Sequence, residues 1–242
     1  MRAHDGRRTM SMQLLVDADV DADVFALRPD YRALLITVEG ITPGPSDGAS
    51  EAMLVSAETS ARALIGDRPI EDIPQVASWR EAYRAFGAKP QRTRHSLEAL
   101  LRRVADGLPR VNRLTDIYNA ISVTHLIPIG GEDLTRYAGA PRLIRATGSE
   151  PFDTMASGED VIEHPEPGEV VWCDDAGVTC RRWNWRQARR TALREDTTSA
   201  LFILDALDPM SDEELGRAGQ ELIEAVGRLG DDVVIEQRLI RA

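Results

Sequence analysis

The densest run of ligand-handling side chains is Cys180-Arg181-Arg182-Trp183-Asn184-Trp185-Arg186-Gln187. Indole rings offer flat apolar walls, while arginine and asparagine orient a carboxylate, a phosphate or a sugar. Arg181, Trp183, Asn184, Trp185, Arg186 and Gln187 are therefore candidate substrate-binding residues. Tryptophans at alternate positions suit a strand that points both rings the same way, and the same rings could equally fill a core on which arginines stack. Arg189, Arg190 and Arg194 extend the basic stretch in a manner suited to phosphate contact. A second segment joins Asp116-Ile117-Tyr118-Asn119-Ala120-Ile121-Ser122 to Pro128-Ile129-Gly130-Gly131-Glu132-Asp133. Gly130 and Gly131 permit close backbone approach and could present N–H groups to a ligand, or form a plain turn. Neither phosphate-loop nor dinucleotide spacing is met. In a third segment, Trp79-Arg80-Glu81-Ala82-Tyr83-Arg84, a helix would put Trp79 and Tyr83 on one face, leaving Arg80 and Glu81 as pocket candidates.

Other chemistry is thinly represented. Ser122 and His125 lie near each other in sequence, but nothing local supplies the acid and oxyanion hole that a nucleophilic serine needs. His95 and His164 read as surface or packing residues. Cys173 and Cys180, the only cysteines, flank Asp-Asp-Ala-Gly and read as reduced packing residues on two strands of a hairpin. With four scattered histidines they compose neither a disulfide framework nor a zinc site. The acidic turns lack calcium spacing. No metal and no cofactor is expected.

The elements that must position these groups are helices first and strands later. Residues 12–40 read as strand, connection, strand, with Ala33–Val38 a buried central strand. The Pro- and Gly-rich stretch 41–48 is a loop. Helices are expected over 49–64, 75–86 and 96–105, the last with Ser96 as half of a capping signature. A short helix starts at Asn112 with Leu114, Ile117, Tyr118 and Ile121 on one face. Strands are expected over 142–146, 169–174, 178–182 and 200–204. A final helix over 211–229 opens on Ser-Asp-Glu-Glu, and a strand over 233–239 follows. Without regular βαβ alternation, the order points to an α+β fold with mixed sheets and helices packed around them.

The 242-residue chain, 43% hydrophobic and 29% charged, has an ordinary globular composition. No apolar run approaches a membrane span, and Asp17, Asp19, Asp21 and Asp23 cut short the apolar stretch that a signal peptide would need. A cytoplasmic location is expected, with residues 1–11 a disordered N-terminus, Met12 an alternative start, and residues 12–242 a single domain. The net charge of −11 argues against coating nucleic acid through a general basic field, though a local patch can still grip phosphates. Lys89 is the single lysine.

Taken in order, Trp79–Tyr83, Ser96–Val104, Asp116–Ser122, Leu126–Asp133, Gly148–Phe152, Gly168–Asp174 and Cys180–Gln187 resemble stand-alone relatives of the tRNA-editing domain of the phenylalanyl-tRNA synthetase beta subunit. The resemblance runs from about Trp79 to Leu207. It implies that domain's fold and a trans-acting hydrolase that removes a wrongly attached amino acid from the aminoacylated 3′ end of tRNA. On this resemblance Asn119, Asp133, Arg181, Asn184 and Arg186 would hold the amino-acid moiety and the terminal ribose. The N–H groups of Gly130 and Gly131 would polarise the ester carbonyl, and Arg186→Ala would abolish ligand handling. Gly130 stands where the family stretch has a histidine, and Arg186-Gln187 replace a Met-Gly-Gly segment. A non-catalytic tRNA- or amino-acid-binding protein of the same fold, or an enzyme for another small molecule, remains an alternative.

Overall fold

The computed structural model describes residues 10–242. The expected strand at Ala33–Val38 is β2 (Arg32–Glu39), and it pairs antiparallel with both β10 (Ser199–Ala206) and β11 (Val234–Arg241). β3 (Ile129–Asp133) pairs with the other edge of β10, giving the order β11-β2-β10-β3. β2 and β10 are buried along nearly their whole lengths, which is why they read as continuous apolar runs rather than alternating ones.

Each face of this sheet carries its own core. On one face Leu34, Ile36, Phe202 and Leu204 pack against α6 (Arg113–His125) and α7 (Asp212–Gly227). Gly219 lets α7 approach closely, because a Cβ there would lie 2.5 Å from Leu34 Cδ2. On the other face Leu35, Leu201 and Ile203 share a core with Leu143, Trp172 and Cys180 of a second sheet and with Trp183 of the turn between two of its strands. That sheet has the order β1-β4-β7-β8-β9: Asp19–Val20, Arg142–Arg145, Val170–Asp174, Gly177–Arg181 and Arg186–Gln187. Its β1–β4 pair is parallel and its other pairs are antiparallel. A third apolar cluster joins α3 (Gly48–Ile65), α4 (Pro74–Ala85), α5 (Ser96–Leu101) and the remaining face of α6. β5 (Phe152–Ala156) and β6 (Glu159–Glu163) form a separate hairpin. The fold is α+β with one mixed and one antiparallel main sheet, as expected.

Local chemistry fixes the helix ends. Asn112 caps α6 by accepting from Thr115 N at 2.9 Å, and Ser211 with Glu214 closes a capping box on α7. At α5 the cap is the His95 ring, not Ser96: Nδ1 accepts from Glu98 N. Three expectations are corrected. Residues 10–17 form a helix, α1 (Met10–Asp17), instead of a strand, with Ser11, Leu15 and Ala18 buried at helical spacing. A short helix α2 (Ala22–Leu27) follows, capped by Asp21. The helix starting at Ser96 stops at Leu101 and continues as turn. Of the expected disordered stretch 1–11, residues 1–9 lie outside the described residues and 10–11 belong to α1.

Candidate functional site

Where α5 and α6 pass over the junction of the two sheets, they enclose a cavity of about 280 Å³. Ser96, Ala99, Leu100 and Arg103 line it from α5 and the turn that follows, and Tyr118 and Asn119 from α6. Ile129, Gly130 and Glu132 come from β3, Ile203 and Asp205 from β10, and Trp172 and Cys180 from β7 and β8. Trp183, Asn184, Trp185 and Gln187 complete the wall. It is an apolar, indole-rich chamber of small-ligand size with a few converging polar groups.

Two acids stand at its floor, each without an ion-pair partner among the described residues. Glu132 is 1% exposed and Asp205 2%. Asp205 accepts from the Tyr31 hydroxyl (2.6 Å) and from Asn184 Nδ2 (3.3 Å), while Asn184 Oδ1 accepts from Tyr83 (3.0 Å). Glu132 accepts from the Tyr137 hydroxyl. Burial pushes Glu132 up to about 7, opposed by Tyr137 and the neighbouring Thr179 and Thr191. Burial likewise pushes Asp205 up to about 7, opposed by Tyr31, Asn184 and the Trp172 indole. By contrast, Asn119 is 7% exposed, lines the cavity, and its amide makes no hydrogen bond among the described residues. Ser96 Oγ is also buried without a partner.

These acids carry a stability signature. Between pH 4 and about 7 the folded state holds protons that the unfolded chain has released, so their contribution to stability falls as pH rises through that window. At roughly 1.4 kcal/mol per pKa unit, each costs on the order of 3–5 kcal/mol above the window. Melting temperatures from pH 5 to pH 8 are expected to fall less in Asp205→Asn than in the wild-type chain. Parallel curves would show that Asp205 is ionised throughout.

A family model for the B3/4 domain matches residues 78–218, which spans more than half of the sequence. The chain belongs to the B3/4 domain family. This domain is found in the phenylalanyl-tRNA synthetase beta subunit. Among solved structures the chain is similar to an N-terminal fragment of the phenylalanyl-tRNA synthetase beta subunit from Pyrococcus horikoshii, at 12% identity and a TM-score of 0.46. That similarity covers 91% of this chain and 53% of the fragment, so the chain spans about half the fragment's length. No curated protein matches the chain significantly.

Within this B3/4 domain the predicted residues divide. Asn119, Gly130, Trp183, Asn184, Trp185 and Gln187 meet at the cavity. Gly131 and Asp133 do not line it, because side chains alternate along β3 and the cavity side takes Gly130 and Glu132. A Cβ on Gly131 would lie 2.7 Å from Leu193 Cδ1 and 2.8 Å from Tyr118 Cε1, so this glycine serves packing. Asp133 caps the next turn, accepting from Thr135 N (3.0 Å) and Thr197 Oγ1 (3.0 Å). The paired N–H groups expected of Gly130 and Gly131 do not converge. Asp133 N donates to Thr191 O, and Gly131 O accepts from Gln187 Nε2 at 2.9 Å. Strand alternation therefore turns the Gly131 amide to the edge of β3 away from β10 and the Gly130 amide into the β10 ladder.

The arginines are placed elsewhere. Arg181 forks onto Glu169 at 2.9 and 2.8 Å and reaches Glu163 at 3.0 Å. Arg186 donates to Met155 O, and Arg182 stacks on Trp185 at 4.4 Å. Arg190 binds the buried Asp174, and Arg189 pairs with Asp160. The expected basic patch is thus mostly paired with carboxylates. Arg80 is bound to Glu98 at 2.8 Å; with exposed Glu81 it borders a separate surface hollow. The expected tryptophan strand is a hairpin turn: Arg182 and Trp183 have φ of 48° and 67°, which drops Trp183 into the core and leaves Trp185 half-buried.

Ser122 and His125 do not form a catalytic pair, since Ser122 donates to Ile127 O and His125 Nε2 meets Glu221. His95 is buried and pushed down to about 3, so it is neutral. Both cysteines are free and buried, and burial pushes the Cys180 thiol up. Among the described residues no group of side chains could hold a metal ion. Sequence reasoning missed Glu132, Asp205, Tyr118, Ser96, Arg103 and Trp172 as lining residues. For Asp205 the signal was present: an acid closing the apolar run Leu201–Leu204.

Proposed function

We propose that the cavity receives the aminoacyl end of a charged tRNA and hydrolyses its ester in trans. The observation that carries this reading is a chamber of about 280 Å³ holding the uncommitted Asn119 amide above buried acids that titrate near neutrality. An aminoacyl ester is already activated, so a site needs only to orient water, accept its proton and polarise the carbonyl. An acid of pKa near 7 is suited to take that proton at working pH. Glu132 is assigned this role, with Asn119 and Gln187 as donors to the ester. Family membership supports the tRNA, since B3/4 domains occur in a tRNA-handling enzyme.

Charge on the segment that supplies Arg103 to the cavity suits an RNA end. Residues 89–103 carry Lys89, Arg92, Arg94, Arg102 and Arg103 against Glu98 alone, within a chain of net charge −11. Lys89, Arg92 and Arg103 are exposed and form no ion pair among the described residues, and Arg103 reaches the cavity lining. The double substitution Arg92→Glu, Arg103→Glu is expected to weaken binding of uncharged tRNA by about tenfold and to flatten its salt dependence. Filter binding at two salt concentrations checks this; unchanged affinity would place the RNA on another face. No helix among the described residues is long and apolar enough to cross a membrane, and the activity is assigned to the cytoplasm, where charged tRNA is used.

The reading is tested by incubating the protein with tRNAs charged singly with different amino acids. Release of one or a few amino acids supports it. No release from any of them, with tRNA still bound, would favour the second reading, a non-catalytic binder. That alternative has its own supporting observation: the lining contains no histidine, and its thiol, Cys180, is held protonated by burial.

A further inference from the structure

Arginines to grip a carboxylate were expected at this site, yet the floor is acidic, Arg181 and Arg190 are spent on Glu169, Glu163 and Asp174, and the unpaired Arg103 of the lining is the arginine assigned above to the RNA end. Asp205 lines the cavity together with the Trp172 and Trp183 indoles and has neutral hydrogen-bond partners only, Tyr31 and Asn184. Such a place, a carboxylate beside electron-rich rings and shielded from water, favours a cationic guest through charge-assisted hydrogen bonding and cation–π attraction. Glu132, on the same face of the sheet, adds to the negative field. The unpartnered Asn119 amide, also in the lining, leaves a donor for the guest's carbonyl oxygen.

We infer that the cavity selects a protonated primary amine lacking a free carboxylate, with Asp205 as the residue that receives the ammonium group. This rests on the aminoacyl-tRNA reading and deepens it. An amino acid esterified to ribose is a cation, whereas the hydrolysed product is a zwitterion whose new carboxylate would enter a chamber already holding two acids. Like charges in a water-poor space repel strongly. The same arrangement that accepts the ester therefore expels the product and prevents inhibition by the pool of free amino acids.

The test uses L-amino-acid amides, which keep the ammonium and carry no carboxylate, against their N-acetyl amides and the free amino acids. Alanine, valine, phenylalanine and tyrosine serve as the side-chain set. Binding to the full-length protein is read by calorimetry and by tryptophan fluorescence at pH 7, where the probe's α-amine, with a pKa of about 8, is mostly protonated. At least one amide is expected to bind about tenfold or more tightly than both its N-acetyl form and its free acid. Asp205→Asn is expected to erase the preference for amide over N-acetyl amide. Should that variant fail to fold, the wild-type comparison decides alone. Equal binding of amide and N-acetyl amide, tighter binding of the free acid, or no binding of any amide to the folded protein would overturn the inference. Discrimination among the probes without hydrolysis of any charged tRNA would leave this inference standing while removing the deacylase assignment.

Discussion

Glu132→Gln is expected to lower the rate of aminoacyl-ester hydrolysis by about 10²- to 10⁴-fold while leaving binding of the charged tRNA nearly unchanged. The glutamine keeps the size of the side chain and can still accept from Tyr137, but it cannot take a proton from water. Because burial holds Glu132 near 7, the wild-type rate is expected to rise with pH through neutrality and then level, as the carboxylate ionises. Single-turnover deacylation across pH 5.5–8.5 checks both points. A variant with wild-type rates would return the base role to another group; a variant that no longer binds tRNA would show Glu132 to be structural.

The second large effect concerns stability. Trp183→Ala is expected to cost about 3–5 kcal/mol, whereas Trp185→Ala costs markedly less. Trp183 is fully buried, meeting Trp79 edge-on at 5.3 Å and Tyr31 at 4.9 Å, so its removal opens a void at the centre of the face-to-face sheets. Trp185 is half-buried under Arg182 and borders the cavity, so its loss is expected to change ligand binding more than folding. Denaturant unfolding of the two variants, compared by midpoint, measures the difference. Equal losses would mean that both rings share one environment, as an extended strand would have given.

That contrast shows where sequence periodicity carries information. β2 and β10 were legible because strands buried on both faces must be apolar throughout, and α7 because Ser211-Asp-Glu-Glu is both a cap and a favourable charge at a helix start. The segment Arg181–Gln187 was not, because alternation of indoles and polar residues is equally compatible with a turn. Only the left-handed backbone at Arg182 and Trp183 decides it, and neither residue type signals that conformation. In the same way Gly130-Gly131 invited a reading as a ligand-facing loop. As part of β3 the pair obeys a period of two, which sends Glu132 into the cavity and Asp133 out of it. Arginine content misled for a different reason: its partners Glu163, Glu169 and Asp174 come from β6, from the residue before β7 and from the end of β7, and pairing between segments is invisible in a linear sequence. Asn119, Asn184 and Gln187 were legible as polar groups beside aromatic rings, and the structure brings them together at one chamber.

On the proposed function, the chamber between α5, α6 and β3 holds the aminoacyl end of the substrate. A co-crystal structure with a 3′-aminoacyl-adenosine analogue, its ester replaced by a stable amide, tests it most directly. The ammonium group is expected within hydrogen-bond distance of Asp205, with the amide carbonyl facing Asn119 and the adenosine leaving past Arg103. An analogue bound outside this chamber, or bound with its amine turned to solvent, would contradict it.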